Sequence, residues 1–508
     1  MRNKVVAAEE AVKLIKDGDW LAIQGSGGGV GEPGLLLKTL GERFQREGNP
    51  RNLTLCHSTG IGNQKDSGTD YLALSGLVKR DIAGHLGMAP KMGQMILRNE
   101  LEAYNFPQGV LSRMYSAVAA KKPGVITKVG LHTYIDPRLD GGRMNDITTE
   151  ELVKILEIEG EEWLFFPRFH FDVAFVKGTT ADTKGNITSE QEGAFLENLS
   201  IAQAAKNSGG IVIAQVKYLA QAGTLNPQHV KIPGIYVDYI VVDGHQTQTC
   251  LDLYNPAYCG HVKVPQEHFK PLPLDEKKVI ARRAAQEIKE EAVVNLGFGI
   301  PSYIVPIAVE EGRIDGFTLT VEQGAIGGMP VGGVIFGVAN NPEAIIPMDA
   351  QFHFYDGGGL DVAFLGMAQV DADGNVNSSK VGKNMLAGCG GFIDITQNAK
   401  KVVFCGTFTA KGLCCDVGNG RLTITHEGSV HKFVEQVDQI TFSGQYAREL
   451  RQPVLYVTER AVFELTETGV KLLEIAPGID LERDILAHTE FRPIFPDHLK
   501  LMDANIFT

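Results

Sequence analysis

The sequence predicts an α/β protein with two related domains and largely parallel sheets. Two observations carry this: an internal repeat, and a regular alternation of strand-like and helix-like segments. The repeat is direct. Asp172-Val173-Ala174-Phe175 through Asp182, Gly185 and Asn186 returns as Asp361-Val362-Ala363-Phe364 through Asp371, Gly374 and Asn375. Seven of sixteen aligned positions are identical, and repetition on this scale sets the architecture before any local propensity does. In each copy an apolar stretch runs into an Asp/Gly/Asn cluster, the pattern of a strand that ends in a tight turn.

A second pair of segments supports duplication. Gly25-Ser26-Gly27-Gly28-Gly29-Val30-Gly31-Glu32-Pro33 follows the apolar run Trp20 to Ile23, and Asn295-Leu296-Gly297-Phe298-Gly299-Ile300-Pro301 follows Ala292-Val293-Val294. Both read as strand, Gly-rich turn and helix, and each is preceded by a helix-patterned segment, Ala7 to Lys16 and Asp275 to Lys289. The loops are offset by 268 residues and the Asp-Val-Ala-Phe segments by 189. The first half therefore carries about 79 extra residues, expected within about 55 to 170. Further strands are expected at Ile211 to Val216 and Lys401 to Phe404 after helical segments, the alternation of a doubly wound sheet.

Between Tyr254 and Leu274 the periodicity fails, and Pro256, Gly260, Pro265, Pro271 and Pro273 cluster there, as in an interdomain linker. The expected division is an N-terminal domain over 1–254, a linker over 255–274 and a C-terminal domain over 275–508.

Composition narrows the function. The chain has 508 residues, 44% hydrophobic and 21% charged, the balance of a folded protein with buried cores rather than a disordered one. Lys plus Arg total 48 against 61 Asp plus Glu, a net charge of −13. No general attraction to nucleic acid or to anionic membranes follows, so an anionic ligand must be held by local groups. The seven cysteines are odd in number and lack the spacing of a disulfide framework or a zinc ribbon, which suits a reducing cytoplasm. His85, His132, His170 and His353 are scattered without metal-ligand spacing, so no metal is expected and these residues read as packed or solvated. Cys389, Cys414 and Cys415 read as ordinary buried thiols.

The sharpest chemical feature is Thr318-Leu319-Thr320-Val321-Glu322-Gln323-Gly324-Ala325-Ile326-Gly327-Gly328, a β-rich run that ends on an acid and opens into glycines. Strand ends of open α/β sheets gather ligands, and glycines let a bulky substrate approach. By local pattern alone Glu322 is one strand-end acid among many. The Val321 to Gly328 segment, however, resembles the Glu-any-Gly signature of the family I CoA-transferases. The resemblance extends through the Gly-rich loop ending at Gly31 and Pro33, Pro107-Gln108-Gly109, Asn295 to Pro301, Gly374-Asn375-Val376-Asn377, Gly390-Gly391-Phe392-Ile393-Asp394 and Glu474 to Gly478. The first loop departs from it, since much of the family has Gly-Gly-Phe-Gly where this chain has Gly25-Ser26-Gly27-Gly28-Gly29.

The resemblance implies two fused CoA-transferase halves, α-like and β-like. It implies transfer of CoA between a short-chain acyl-CoA and a free short-chain carboxylate, with Glu322 as nucleophile and a glutamyl-CoA thioester between the two half-reactions. Asn377 is the first expected oxyanion donor, with backbone N–H groups at Gly390 and Gly391 as the second. Gln108 is expected beside the bound carboxylate. Lys380 or Lys383 would meet CoA phosphates, and Gly297 and Gly299 would admit the pantetheine arm. CoA is then substrate, no tightly bound cofactor is implied, and a homodimer or homotetramer is expected. Competing readings are an acyl-CoA hydrolase using the same intermediate, a sugar-phosphate-binding regulator or isomerase on a related fold, and a dinucleotide-dependent oxidoreductase suggested by the first loop.

Overall fold

The computed structural model describes residues 3–265, 271–382 and 385–508. The centre of the expected linker and Lys383 lie outside the described residues. The chain forms two compact units. The first comprises Met1–Lys263 with Val321–His353 and Leu386–Gly391; the second comprises Val264–Thr320, Phe354–Met385 and Phe392–Thr508. Two segments of the C-terminal half, one of them carrying Glu322, thus belong to the first unit.

In the first unit, strands β1 (Trp20–Ile23), β2 (Leu53–His57), β3 (Val78–Ala83), β4 (Glu102–Asn105), β5 (Val173–Asp182), β6 (Ile211–Ala220) and β7 (Tyr239–Val242) lie in the order β4-β3-β2-β1-β5-β6-β7. Every neighbouring pair is parallel. Leu21, Ala22, Ile23, Leu55, Ile82, Ala174, Phe175 and Ile213 are inaccessible, as expected for parallel strands covered on both faces.

In the second unit, β8 (Val293–Leu296), β9 (Thr318–Thr320), β10 (Val362–Gly366), β11 (Val402–Cys405) and β12 (Val454–Val457) run in the order β9-β8-β10-β11-β12, again parallel. Antiparallel strands Ala461–Thr466 and Gly469–Ile475 extend that sheet. The order β2-β1-β5-β6-β7 in the first unit is the order β9-β8-β10-β11-β12 in the second, so the duplication inferred from the repeat is a duplication of topology. The extra length of the first half is β3, β4, the helix Gln108–Ala119 and a three-stranded antiparallel sheet of Gly124–Thr127, Lys154–Ile158 and Glu161–Pro167.

The repeated residues do the same work twice. The backbone N–H of Trp20 donates to the Asp172 carboxylate at 2.9 Å, and that of Val293 donates to Asp361 at 2.8 Å. At the far end of β5, Asp182 Oδ1 accepts from the N–H groups of Lys184 and Asn186, and Oδ2 accepts from the Asn186 amide. Asp371 repeats this with Asp373 and Asn375. The Asn carbonyl then reaches across to a distant backbone N–H, Gly234 for Asn186 at 2.9 Å and Gly444 for Asn375 at 3.0 Å. An Asx-turn at the end of a strand therefore also anchors a remote loop.

Gly374 sits in that turn with φ +79°, and a Cβ there would lie 2.4 Å from Leu465 Cδ1. Both the left-handed backbone and the lack of space exclude a side chain. Asp371→Ala removes three acceptor contacts at a buried turn and should lower the stability of the fold by about 2 kcal/mol, read as a shift in the urea midpoint at unchanged slope.

Candidate active site

Glu322 lies two residues beyond β9, in a turn closed by Gly324 N–H to Val321 O at 2.9 Å and Val321 N–H to Ala325 O at 2.8 Å. Gly324 has φ +113°, and a Cβ on it would lie 2.0 Å from the Ile346 carbonyl oxygen. Only glycine permits the chain to turn this tightly behind the acid. The Glu322 side chain is half-buried. Its Oε1 accepts from Gln323 Nε2 at 3.3 Å, and the same amide reaches Ser26 Oγ at 3.3 Å. Its Oε2 lies 2.5 Å from where a Cβ on Gly391 would stand, so residue 391 must be glycine for the carboxylate to rest against that backbone.

Burial pushes the Glu322 carboxyl up to about 7, against the opposing hydrogen bonds of Gln323 and Gln108. The carboxyl is thus harder to ionise than an exposed glutamate. The cause is desolvation of the charged form.

Gln108 begins the helix Gln108–Ala119 and is buried. It hydrogen-bonds Glu322, its Nε2 also lies 3.2 Å from Met348 Sδ, and its backbone N–H donates to Gly390 O at 2.9 Å. The Gly390 N–H donates to Gly84 O at 2.7 Å and so is already committed. Gly391 follows without an acceptor for its N–H among the described residues.

Sequence reasoning missed the residue that holds this arrangement together. Asn105, at the end of β4, donates from Nδ2 to Ala83 O at 2.7 Å and Gly84 O at 2.6 Å, and its Oδ1 accepts from Cys389 N–H at 2.8 Å and from the Tyr134 hydroxyl. An asparagine near a predicted strand end carries no signal of this in the sequence alone.

Comparison with known proteins places this geometry. Residues 5–243 match the family model described as Coenzyme A transferase. The chain is 46% identical to the caffeate CoA-transferase of Acetobacterium woodii over 99% of its own length and 97% of that protein. It is 44% identical to the acetate CoA-transferase YdiF of Escherichia coli K12, over 100% and 95% of the two chains. The crystal structure of the acyl-CoA transferase YdiF from E. coli O157:H7, a thioester complex with CoA, superposes with a TM-score of 0.95 at 42% identity and covers 100% of this chain and 96% of that one. The chain belongs to the coenzyme A transferase family.

The other expected residues of this CoA-transferase lie in the second unit. Asn377 is inaccessible, and both its amide hydrogens are spent, on Gln369 Oε1 at 2.8 Å and Lys380 O at 2.7 Å, while its Oδ1 accepts from Ser379 N–H at 3.1 Å. As an amide has two donors, none remains for an oxyanion in this arrangement. Lys380 is half-buried on the short strand that Asn377 braces. Gly297 donates its N–H to Phe364 O at 2.7 Å. Gly299 has φ +87° and open space where its Cβ would be, beside the exposed Phe298.

The first Gly-rich loop does not offer a phosphate cradle at its helix. Leu35 and Leu36 N–H, at the start of the helix Gly34–Glu47, both donate to Gln215 Oε1, at 3.0 and 3.3 Å. The donors that a dinucleotide pyrophosphate would need are thus taken. The loop instead packs: Gly28, at φ +69°, has the Val334 carbonyl oxygen 2.5 Å from its missing Cβ. Among the described residues no helix is long and apolar enough to cross a membrane.

Two outcomes follow from the environment of Glu322. A carboxylate attacks only when ionised, so with Glu322 as the expected nucleophile the single-turnover rate of acyl-CoA consumption should rise with pH and level off above about 7. Because the folded-state value lies above the unfolded one, Glu322 costs no stability below about 4.5 and up to about 3 kcal/mol once pH exceeds about 7. Glu322→Gln should therefore melt higher than wild type at pH 8 and equally at pH 4, as seen by calorimetry.

Proposed function

We propose that this CoA-transferase moves CoA between a short-chain acyl-CoA and a free carboxylic acid, with Glu322 as the covalent relay. The single observation that supports this most is the Glu322 carboxylate itself. It is half-buried, braced by Gln323 and Gln108, and laid against the Gly391 backbone.

The carboxylate attacks the acyl-CoA carbonyl, the thiolate of CoA leaves, and a mixed anhydride forms. The thiolate then attacks the glutamyl carbonyl, the first acid departs and a glutamyl-CoA thioester remains. The second acid reverses these steps. No general base is needed once Glu322 is ionised, and no ATP is needed because the thioester is never lost to water.

Each tetrahedral oxyanion needs donors placed in advance. In this reading the Gly391 N–H supplies one, the Gln108 amide supplies another once it turns from the Met348 sulfur it faces at 3.2 Å, and Asn377 shapes the turn that carries Lys380. Gly299 and Lys380 serve the CoA chain, with an unblocked backbone and a cation respectively. CoA is a substrate and not a resident cofactor. The cysteines are free, in keeping with a cytoplasmic enzyme, and a homodimer or homotetramer is the expected assembly.

Two relatives at nearly equal identity are named for caffeate and for acetate, so acids of both kinds belong in the assay. Incubation with acetyl-CoA or propionyl-CoA and no acceptor should add roughly 750 Da at Glu322, mapped by peptide mass spectrometry, discharged by acetate or another acceptor acid and absent from Glu322→Ala. Turnover without any adduct would refute the relay. Steady release of free CoA without an acceptor would instead identify a hydrolase. Gln108→Ala should slow adduct formation by about 100-fold.

A further inference from the structure

His85 has the surroundings of a working group, although nothing in its sequence neighbourhood marks it. It follows β3 by two residues and is half-buried. Three glycines wall the imidazole. A Cβ on Gly60 would lie 2.7 Å from its Nδ1, one on Gly87 2.9 Å from its Cε1, and one on Gly390 3.8 Å from its Cδ2. The same missing Gly390 Cβ is 3.7 Å from Gln108 Oε1. The imidazole edge and the Gln108 amide therefore flank one glycine, and the next residue, Gly391, rests on Glu322.

The protonation of the ring is set by its partners. Nδ1 accepts the Gly87 N–H at 3.2 Å, which places the proton of the neutral ring on Nε2. Nothing among the described residues accepts from Nε2. Burial, and after it the charge of His57, hold the imidazole down at about 4. The His57 imidazole is in turn pushed up, against its own burial, by the Asp81 carboxylate at 3.0 Å and the Thr59 carbonyl at 2.6 Å.

We propose that His85 is a substrate-contacting residue of the transfer reaction, its Nε2–H donating to the acyl oxygen that becomes the oxyanion at Glu322. This rests on the relay reading above and adds a donor to it. A neutral imidazole suits the role: it polarises a carbonyl without surrendering its proton, and it does not trap a carboxylate substrate in a strong ion pair. Gly60 and Gly87 then have a common purpose, since a methyl group on either, at 2.7 or 2.9 Å from the ring, would push it.

The test separates a donor from a packing residue. Glutamine at this position retains an N–H donor on a side chain of similar reach, and phenylalanine retains the ring without nitrogens. His85→Phe should slow glutamyl-CoA formation, followed by intact mass at saturating acyl-CoA, by about 100-fold with KM within about 3-fold. His85→Gln should recover at least about 10-fold of that loss. For a readout independent of how phenylalanine packs, His85→Ala should be accelerated several-fold by added imidazole, which leaves wild type unchanged. A folded phenylalanine variant with a wild-type adduct rate would overturn the assignment. So would equal losses in the phenylalanine and glutamine variants combined with no imidazole rescue, the result a structural role gives. Wild type that forms no adduct sinks the relay itself and the donor with it, and is distinguishable because it precedes any His85 variant.

Discussion

The site depends on how one amide, that of Asn105, ties three pieces of chain together. Its Nδ2 holds the carbonyls of Ala83 and Gly84 at the end of β3, and its Oδ1 holds the N–H of Cys389. Gly388 passes so close that a Cβ on it would stand 2.5 Å from Asn105 Nδ2. With Gly84 O accepting from Gly390 N–H and Gly390 O accepting from Gln108 N–H, the 388–391 segment is pinned from both sides. That segment brings Gly391 against Glu322, and Gln108 and His85 to its flanks. A side-chain amide is well suited to this: it offers two donors and an acceptor in one plane, and each is satisfied where water is excluded.

The Glu322 carboxylate is held at a cost in its own ionisation. Desolvation that raises the Glu322 carboxyl to about 7 makes the ionised form less stable and more reactive, and the same exclusion of water strengthens each hydrogen bond to a developing oxyanion. Among the described residues two amides brace the carboxylate, Gln323 and Gln108, both neutral. A cation in their place would lower the carboxyl and blunt its attack. The absence of charge in its brace is therefore part of the chemistry.

Duplication gave two copies of one sheet, and the copies were put to different use. Both retain the Asp that receives a backbone N–H from the first strand and the Asx-turn that anchors a distant loop. These are requirements of the fold, and they account for the identities between the halves. The proposed site lies where the copies differ. The extra β3, β4 and Gln108 helix of the first half supply Gly84, His85, Asn105 and Gln108, and the second half supplies Glu322 and Gly391.

The amino-acid sequence by itself determined the repeat, the parallel α/β class, the position of the extra length and the acid at the end of β9, because period-two apolar runs, Gly-rich turns and a duplicated Asp-Gly-Asn pattern are local or self-referential signals. Its resemblance to CoA-transferases also pointed to Gln108 and to the Gly390-Gly391 pair. Only tertiary structure decided the rest. Asn377, promising in sequence, has its donors consumed by Gln369 and Lys380. His85, indistinguishable in sequence from any packed histidine, is walled by its neighbour Gly87 and by Gly60 and Gly390 from other segments. Asn105 gains its importance from partners on three other segments, one of them, Cys389, hundreds of residues away. The ionisation of Glu322 is likewise a property of how completely other segments exclude water from it. Hydrogen-bond commitment and desolvation are sums over neighbours in space, and a sequence states its neighbours along the chain only.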